Sequence, residues 1–205
     1  GIFAVSNPNY KNTDKSVFFN IQATEIDRLK ENGYKTNKTG FAIGTDFELL
    51  NDLEFGISNS NYYEKIDANN SASARRKSQE GSYWDTFVKL NFFYDKRNQK
   101  FKTTDGFFSN YSIDMPILSD NNTLTNSYDY KIYKELYENN ISSFGFYLKT
   151  ANSITGDDIK LSERLTIPSR KLRGFERNKV GPKEGSDFIG GNYVTSVNVA
   201  TTLPQ

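Results

Sequence analysis

Cysteine and histidine are absent from this 205-residue chain, and methionine and tryptophan occur once each. Without thiols or imidazoles it holds no disulfide scaffold, no thiolate nucleophile and no imidazole-based acid-base or metal site. No stretch approaches the roughly 18 consecutive apolar residues of a membrane helix, so any membrane span has to be β. An excess of charge of either sign is missing too. The 26 basic and 25 acidic residues leave a formal charge of +1, which gives no field to steer nucleic acid. What is present is aromatic: 16 Phe and 13 Tyr, residue types suited to strands and to bilayer interfaces. A hydrophobic content of 36% and a mean hydropathy of -0.70 would fit a soluble domain. A transmembrane β-barrel has the same average, because only every second side chain faces lipid.

Period-2 alternation recurs along the chain. Val17, Phe19, Ile21 and Ala23 oppose Asn20, Gln22 and Thr24. Phe41, Ile43, Thr45, Phe47 and Leu49 oppose Ala42, Gly44, Asp46 and Glu48. Beyond Asn51-Asp52, Leu53, Phe55 and Ile57 oppose Glu54, Gly56 and Ser58, which reads as a tight hairpin. Val88, Leu90, Phe92 and Tyr94 form the next apolar set. Phe107, Ser109, Tyr111, Ile113 and Met115 follow, then strands near Ser127–Tyr137 and Ile141–Ser153.

Short breaks near Asn51, Lys100 and Asn139 alternate with longer polar ones near Asn32, from Asp67 to Gly81, near Asp120 and from Ile154 to Phe188. Short turns at one end and long loops at the other are the habit of outer-membrane barrels. A soluble antiparallel sandwich also alternates. Many strands here, at about 9 to 13 residues, match the 9 to 11 of a tilted bilayer crossing and exceed the usual 5 to 6. Gly44, Gly56 and Gly145 stand among charges on the polar face, as a water-lined wall would have them. The fold class expected is all-β: an antiparallel transmembrane barrel of the outer-membrane type, with the sandwich as alternative.

Several short motifs carry little chemistry. Arg75-Arg76-Lys77 reads as a solvated loop tip rather than a nucleic-acid or lipopolysaccharide patch. Asp157-Asp158 lacks the spacing of a calcium loop. Gly185 to Gly191 lacks the Lys-Ser/Thr and following helix of a phosphate loop. No cofactor, metal site or catalytic residue is expected. Gly1–Tyr10 has no initiating Met, basic n-region or apolar h-region, so it is no signal peptide, and both ends read as ends of a piece of something longer.

The most informative stretch is Arg164 to Pro204. A connection of about 35 residues without its own periodicity is generally functional or disordered. This one carries apolar anchors at Leu165, Ile167, Leu172, Phe175, Val180, Phe188 and Ile189, so it reads as a packed loop folded inward. Arg173 then has a physical task, since its guanidinium can bind a wall carboxylate through paired hydrogen bonds. Gly174 permits a close turn beside it and Phe175 fills space.

Leu172-Arg173-Gly174-Phe175, then Asn178-Lys179-Val180-Gly181-Pro182, then Gly190-Gly191-Asn192 opening a strand, resemble in order and spacing the sixth extracellular loop of the BamA-like family of outer-membrane barrel assembly factors. Ser6–Tyr10 is similar to the periplasmic turn after the family's fourth barrel strand, and Thr104-Asp105-Gly106 to the turn before the ninth. The resemblance implies that residues 1–205 are part of a C-terminal barrel, about the fifth to the twelfth of sixteen strands, with residues 154–191 as a long extracellular loop. It further implies that Arg173 pins the loop to acids on the inner wall. Counting eight residues from Asn192, where the family has one such acid, gives Ala200.

Function follows from the same resemblance: a non-enzymatic factor of the cell outer membrane that folds and inserts β-barrel proteins. Its expected partners are the outer-membrane lipid bilayer, unfolded β-barrel clients and accessory assembly lipoproteins, with no nucleic acid. The alternatives are a relative that translocates polypeptides or assembles autotransporters, and a soluble β-sandwich that binds carbohydrate through Tyr side chains and Trp84.

Overall fold

The computed structural model describes residues 1–29, 33–176, 179–185 and 187–202. Its strands are β1 (Ile2–Asn7), β2 (Ser16–Arg28), β3 (Tyr34–Leu50), β4 (Leu53–Ala68), β5 (Gly81–Asp95), β6 (Gly106–Pro116), β7 (Thr123–Tyr137), β8 (Asn140–Ser153), β9 (Lys183–Glu184), β10 (Asp187–Phe188) and β11 (Tyr193–Thr201). Nine of them make one antiparallel sheet in the order β1-β2-β3-β4-β5-β6-β7-β8-β11, each strand beside its chain neighbour as far as β8, which pairs with β11. The short pair β9 and β10 stands apart within the β8–β11 connection.

Registers run almost unbroken, so the period-2 pattern of each strand lines up with the next. One face collects Phe19, Ile43, Ile57, Val88, Leu90, Ile113, Ile132 and Phe144. Towards the end of the sheet where β3 turns into β4 it carries aromatic contacts from strand to strand. Phe47 meets Phe55 at 5.5 Å between ring centroids, Phe55 meets Phe92 at 5.1 Å and Phe92 meets Tyr111 at 6.5 Å. Tyr94, Phe107 and Tyr130 continue this at 5.7 and 5.8 Å, and Tyr128 packs on Phe146 at 6.2 Å. Such pairs contribute about 0.5–1.5 kcal/mol each beyond area burial. Near the opposite end Tyr63 pairs with Trp84 across β4 and β5, both half-exposed. Aromatics at both borders of an apolar band are the girdles of a membrane barrel.

Polar groups on this face are satisfied locally. Asn61 donates to Asn59 Oδ1 (2.5 Å), Thr86 donates to Asn61 Oδ1 (2.9 Å) and Asn59 donates to the Phe87 carbonyl (3.3 Å). Tyr111 donates to Asn126 Oδ1 (2.8 Å). In hydrocarbon, with no water to take their place, such bonds are required.

A sandwich would lay a second sheet on the apolar face. Among the described residues no layer does so, and Phe41, Ile43, Ile57 and Phe144 stay exposed there. The carbohydrate-binding sandwich is therefore set aside on architecture. The opposite face holds Asp46, Glu54, Glu64, Asp85, Lys89 and Asp129, and against it lies the long connection.

Two hairpins share one device. After Leu50 and after Tyr137 the chain turns in two residues, with Asp52 and Asn139 at φ of 66° and 60°. Asp and Asn tolerate that region better than other side chains. In each turn the residue's amide donates 3.0 Å to a glutamate four positions earlier, Glu48 or Glu135.

The structure differs from sequence expectation in several places, and strands β3, β4, β5, β7 and β8, at 14 to 17 residues, run longer than expected. Eight sheet strands follow the Ser6–Tyr10 region, as expected, but Ile2–Asn7 adds one before it, paired with β2 through Val5 and Phe19. The break near Lys100 is not short: Lys96 to Asp105 forms an ordered turn in which Asn98 Oδ1 accepts from the Thr104 and Asp105 amides. Arg75-Arg76-Lys77 is no free loop tip. It forms one helical turn, Ala74–Lys77, capped by Ser73, with Arg76 buried 3.9 Å over the Tyr34 ring. Finally, the long connection is not wholly aperiodic, because β9 and β10 form a small hairpin inside it.

Candidate functional site

The connection from Ile154 to Asn192 leaves β8, folds over the polar face and returns to β11. Its base is clasped by backbone. Leu165 and Gly191 exchange both hydrogen bonds of an antiparallel bridge, at 2.7 and 2.9 Å. Gly190 sits at φ 75°, and a Cβ there would lie 2.9 Å from the Leu165 carbonyl oxygen, so the position needs glycine. Asn192 accepts from the Ala151 amide at 2.8 Å. Pro182 accepts from the Ile189 amide (3.0 Å), and its ring lies beside Gly191. Beneath the clasp Ala151, Ile159 and Leu165 make a small buried apolar cluster with Val194.

Beside this clasp the segment Lys160–Arg164 docks on the wall. The largest fully buried side chains are acids: Glu64 of β4 at 1% exposure and Asp85 of β5 at 0%. Lys160 places its ammonium 3.0 Å from Glu64 Oε2, 3.6 Å from Asp85 Oδ2 and 3.6 Å from the centre of the Tyr83 ring. Ser162 donates to the same Glu64 oxygen at 3.1 Å. Asp85 Oδ1 accepts from Ser119 (2.7 Å) and the Asn121 amide (2.9 Å), which draws in the β6–β7 connection. Gln79 of the β4–β5 connection accepts from the Leu161 amide at 2.8 Å. Two loops thus meet at the two carboxylates, and the β4–β5 connection holds the docking segment beside them.

Glu163 faces Lys38 of β3 at 3.8 Å. Burial pushes its carboxyl above the ordinary 4.5; Lys38 and Lys160 oppose the shift, and the charges of Glu64 and Asp85 add to it.

A second tether lies further along. Lys171 reaches Asp129 of β7 at 2.5 Å and lies 5.1 Å over the Tyr147 ring of β8. Between the loops Asp158 takes Arg164 at 2.6 Å and Arg75 at 2.8 Å, and Arg75 also meets Glu184 at 3.3 Å.

Of the residues expected from sequence, Gly181, Pro182, Gly190, Gly191 and Asn192 come together at or beside the clasp. Gly181 and Gly190 take positive φ there. Arg173, Gly174 and Phe175 do not join them. Gly174 turns at φ 84° with open space around its Cα, Phe175 is 61% exposed, and exposed Arg173 makes no ion pair among the described residues. At Ala200, where the resemblance would place an acid, a methyl group pairs with Ser143 of β8 and offers no charge. The lysines and acids that do bind loop to wall were not foreseen. The available signal was carboxylates at the lumen-side parity of β4 and β5 together with lysines inside the loop.

A model of the Omp85 superfamily domain matches residues 3–205. Among solved structures the chain is similar to BamA from Haemophilus ducreyi lacking POTRA domains 1-3, with a TM-score of 0.85 at 18% identity. That alignment covers 100% of this chain and 44% of that one, so the chain spans under half the length of the protein it matches. A search of the curated proteins finds no match. With strand order, lipid-type face and inward loop all in agreement with a match over residues 3–205, the chain belongs to the Omp85 superfamily.

Proposed function

We propose that this chain is part of the barrel wall of a non-enzymatic outer-membrane factor that folds and inserts other β-barrels. Its surroundings are the outer-membrane bilayer, its clients are unfolded barrel chains, and accessory lipoproteins assist it. The observation that carries this reading is the pairing of a bare apolar, aromatic-bordered face with a lumen side occupied by the chain's own loop. A loop tied to β3, β4, β5 and β7 takes space that a polypeptide crossing the lumen would need. That favours work at the barrel's edge, where an unsatisfied strand templates a client strand, over passage through its middle.

The test is reconstitution of the complete natural chain in lipid vesicles with an unfolded barrel client. Heat-modifiable, protease-protected client should form at least about tenfold faster than in lipid alone, a gain of some 1.4 kcal/mol in barrier. Client carried into the vesicle lumen without inserting would support the translocating relative instead. Neither insertion nor transport would end the assembly reading.

A further inference from the structure

We propose that Lys160 is the lock of the long loop: the single cation that two buried wall acids require, supplied by the loop and withdrawn when the loop leaves. Glu64 and Asp85 sit on neighbouring strands and are shielded from water. Two carboxylates so placed cannot both stay ionised without a counter-charge. The wall's own nearby lysine, Lys38, opposite Glu64 in the β3–β4 register, is turned to Glu163. The compensating charge therefore comes from the loop.

The acids are oriented in advance for it. Ser119 and the Asn121 amide occupy Asp85 Oδ1, leaving Oδ2 with no hydrogen bond and Lys160 at 3.6 Å as its ion-pair partner. Glu64 Oε2 receives both Lys160 and Ser162, two residues of one docking segment. The Tyr83 ring presents its negative face to the same ammonium. Exposed Arg173 has no comparable arrangement among the described residues. Lys160 acts as a positioning residue, and the inference needs only the inward loop, not the assembly of clients.

The test uses the complete natural chain in native membranes and reads proteolysis of the loop, separately from client insertion. Lys160→Met should raise the cleavage rate at least about tenfold, because it strands two buried acids. Adding Glu64→Gln should restore much of the protection, since the repulsion is then relieved; Lys160→Arg should retain part of it. Equal cleavage of the Lys160→Met single variant and its double, or a Lys160→Met rate equal to the parent's, would overturn the proposal. Should Lys160→Met fail to assemble, amine labelling of the unaltered protein decides. Lys160 should react far more slowly than exposed Lys183, and equal rates would overturn the lock.

Discussion

The two faces of the sheet are built from the same strands, residue by residue in alternation, yet they obey opposite electrostatic rules. At Val88 the outer face is apolar, and the groups that are not, such as Asn59 and Asn61, spend their donors and acceptors on each other and on the backbone. One residue on, Lys89 belongs to the inner face, where Glu64, Asp85 and Asp129 are matched by lysines from the loop. The difference shows that this wall keeps its fold without a conventional apolar core. The outer face is stabilised by what surrounds it and the inner face by ion pairs brought from a distant part of the chain.

The comparison can be broken from either side. The largest effect is expected inside: Lys160→Met should destabilise loop docking by about 3–5 kcal/mol, the usual result of orphaning buried charge. Hydrogen exchange at the Leu165–Gly191 bridge would report it. Next comes the outer face. Val88→Lys lies midway along β5 between Trp84 and Phe92 and should cost about 2–4 kcal/mol in bilayer. Lys89→Leu, one residue away on the lumen side, should change stability by less than about 0.5 kcal/mol. Denaturant titrations in vesicles would separate the two.

A smaller effect concerns protons. Because the carboxyl of Glu163 is raised by its docking, the docked loop holds a proton that the released loop gives up. The part of the protection owed to Glu163 should be complete below its ordinary 4.5 and be lost as pH rises through the raised value. Glu163→Gln, neutral throughout, should flatten that profile. Lys38, Glu64, Asp85 and Lys160 all face this group, so a profile unchanged by Glu163→Gln would mean the proton resides elsewhere in the cluster.

The strands were legible because alternation is a local property: Phe41 to Leu49 and Val88 to Tyr94 declare a lipid-facing row without reference to any other segment. Ile2–Asn7 was not, since Ile2-Phe3-Ala4-Val5 is a continuous apolar run and its partner, β2, supplies the pattern. The start of β5 was missed for a related reason: Tyr83, Trp84, Asp85 and Thr86 alternate in environment but not in hydropathy. The Gly190-Gly191-Asn192 clasp was visible as a motif because tight backbone approach needs glycine whatever lies around it. Lys160 was invisible. A lysine in a polar loop is unremarked until its partners, 96 and 75 positions earlier in the chain, are brought beside it, and that is a property of the folded barrel.

The most direct measurement is site-directed spin labelling at Val88→Cys and Lys89→Cys in the complete natural chain in vesicles, reading collision with oxygen from the lipid phase and with a water-soluble nickel chelate. The account predicts inversion between neighbours: position 88 relaxed by oxygen and shielded from nickel, position 89 the reverse. Equal access of the nickel chelate to both would contradict a wall with lipid on one side and a loop-filled lumen on the other.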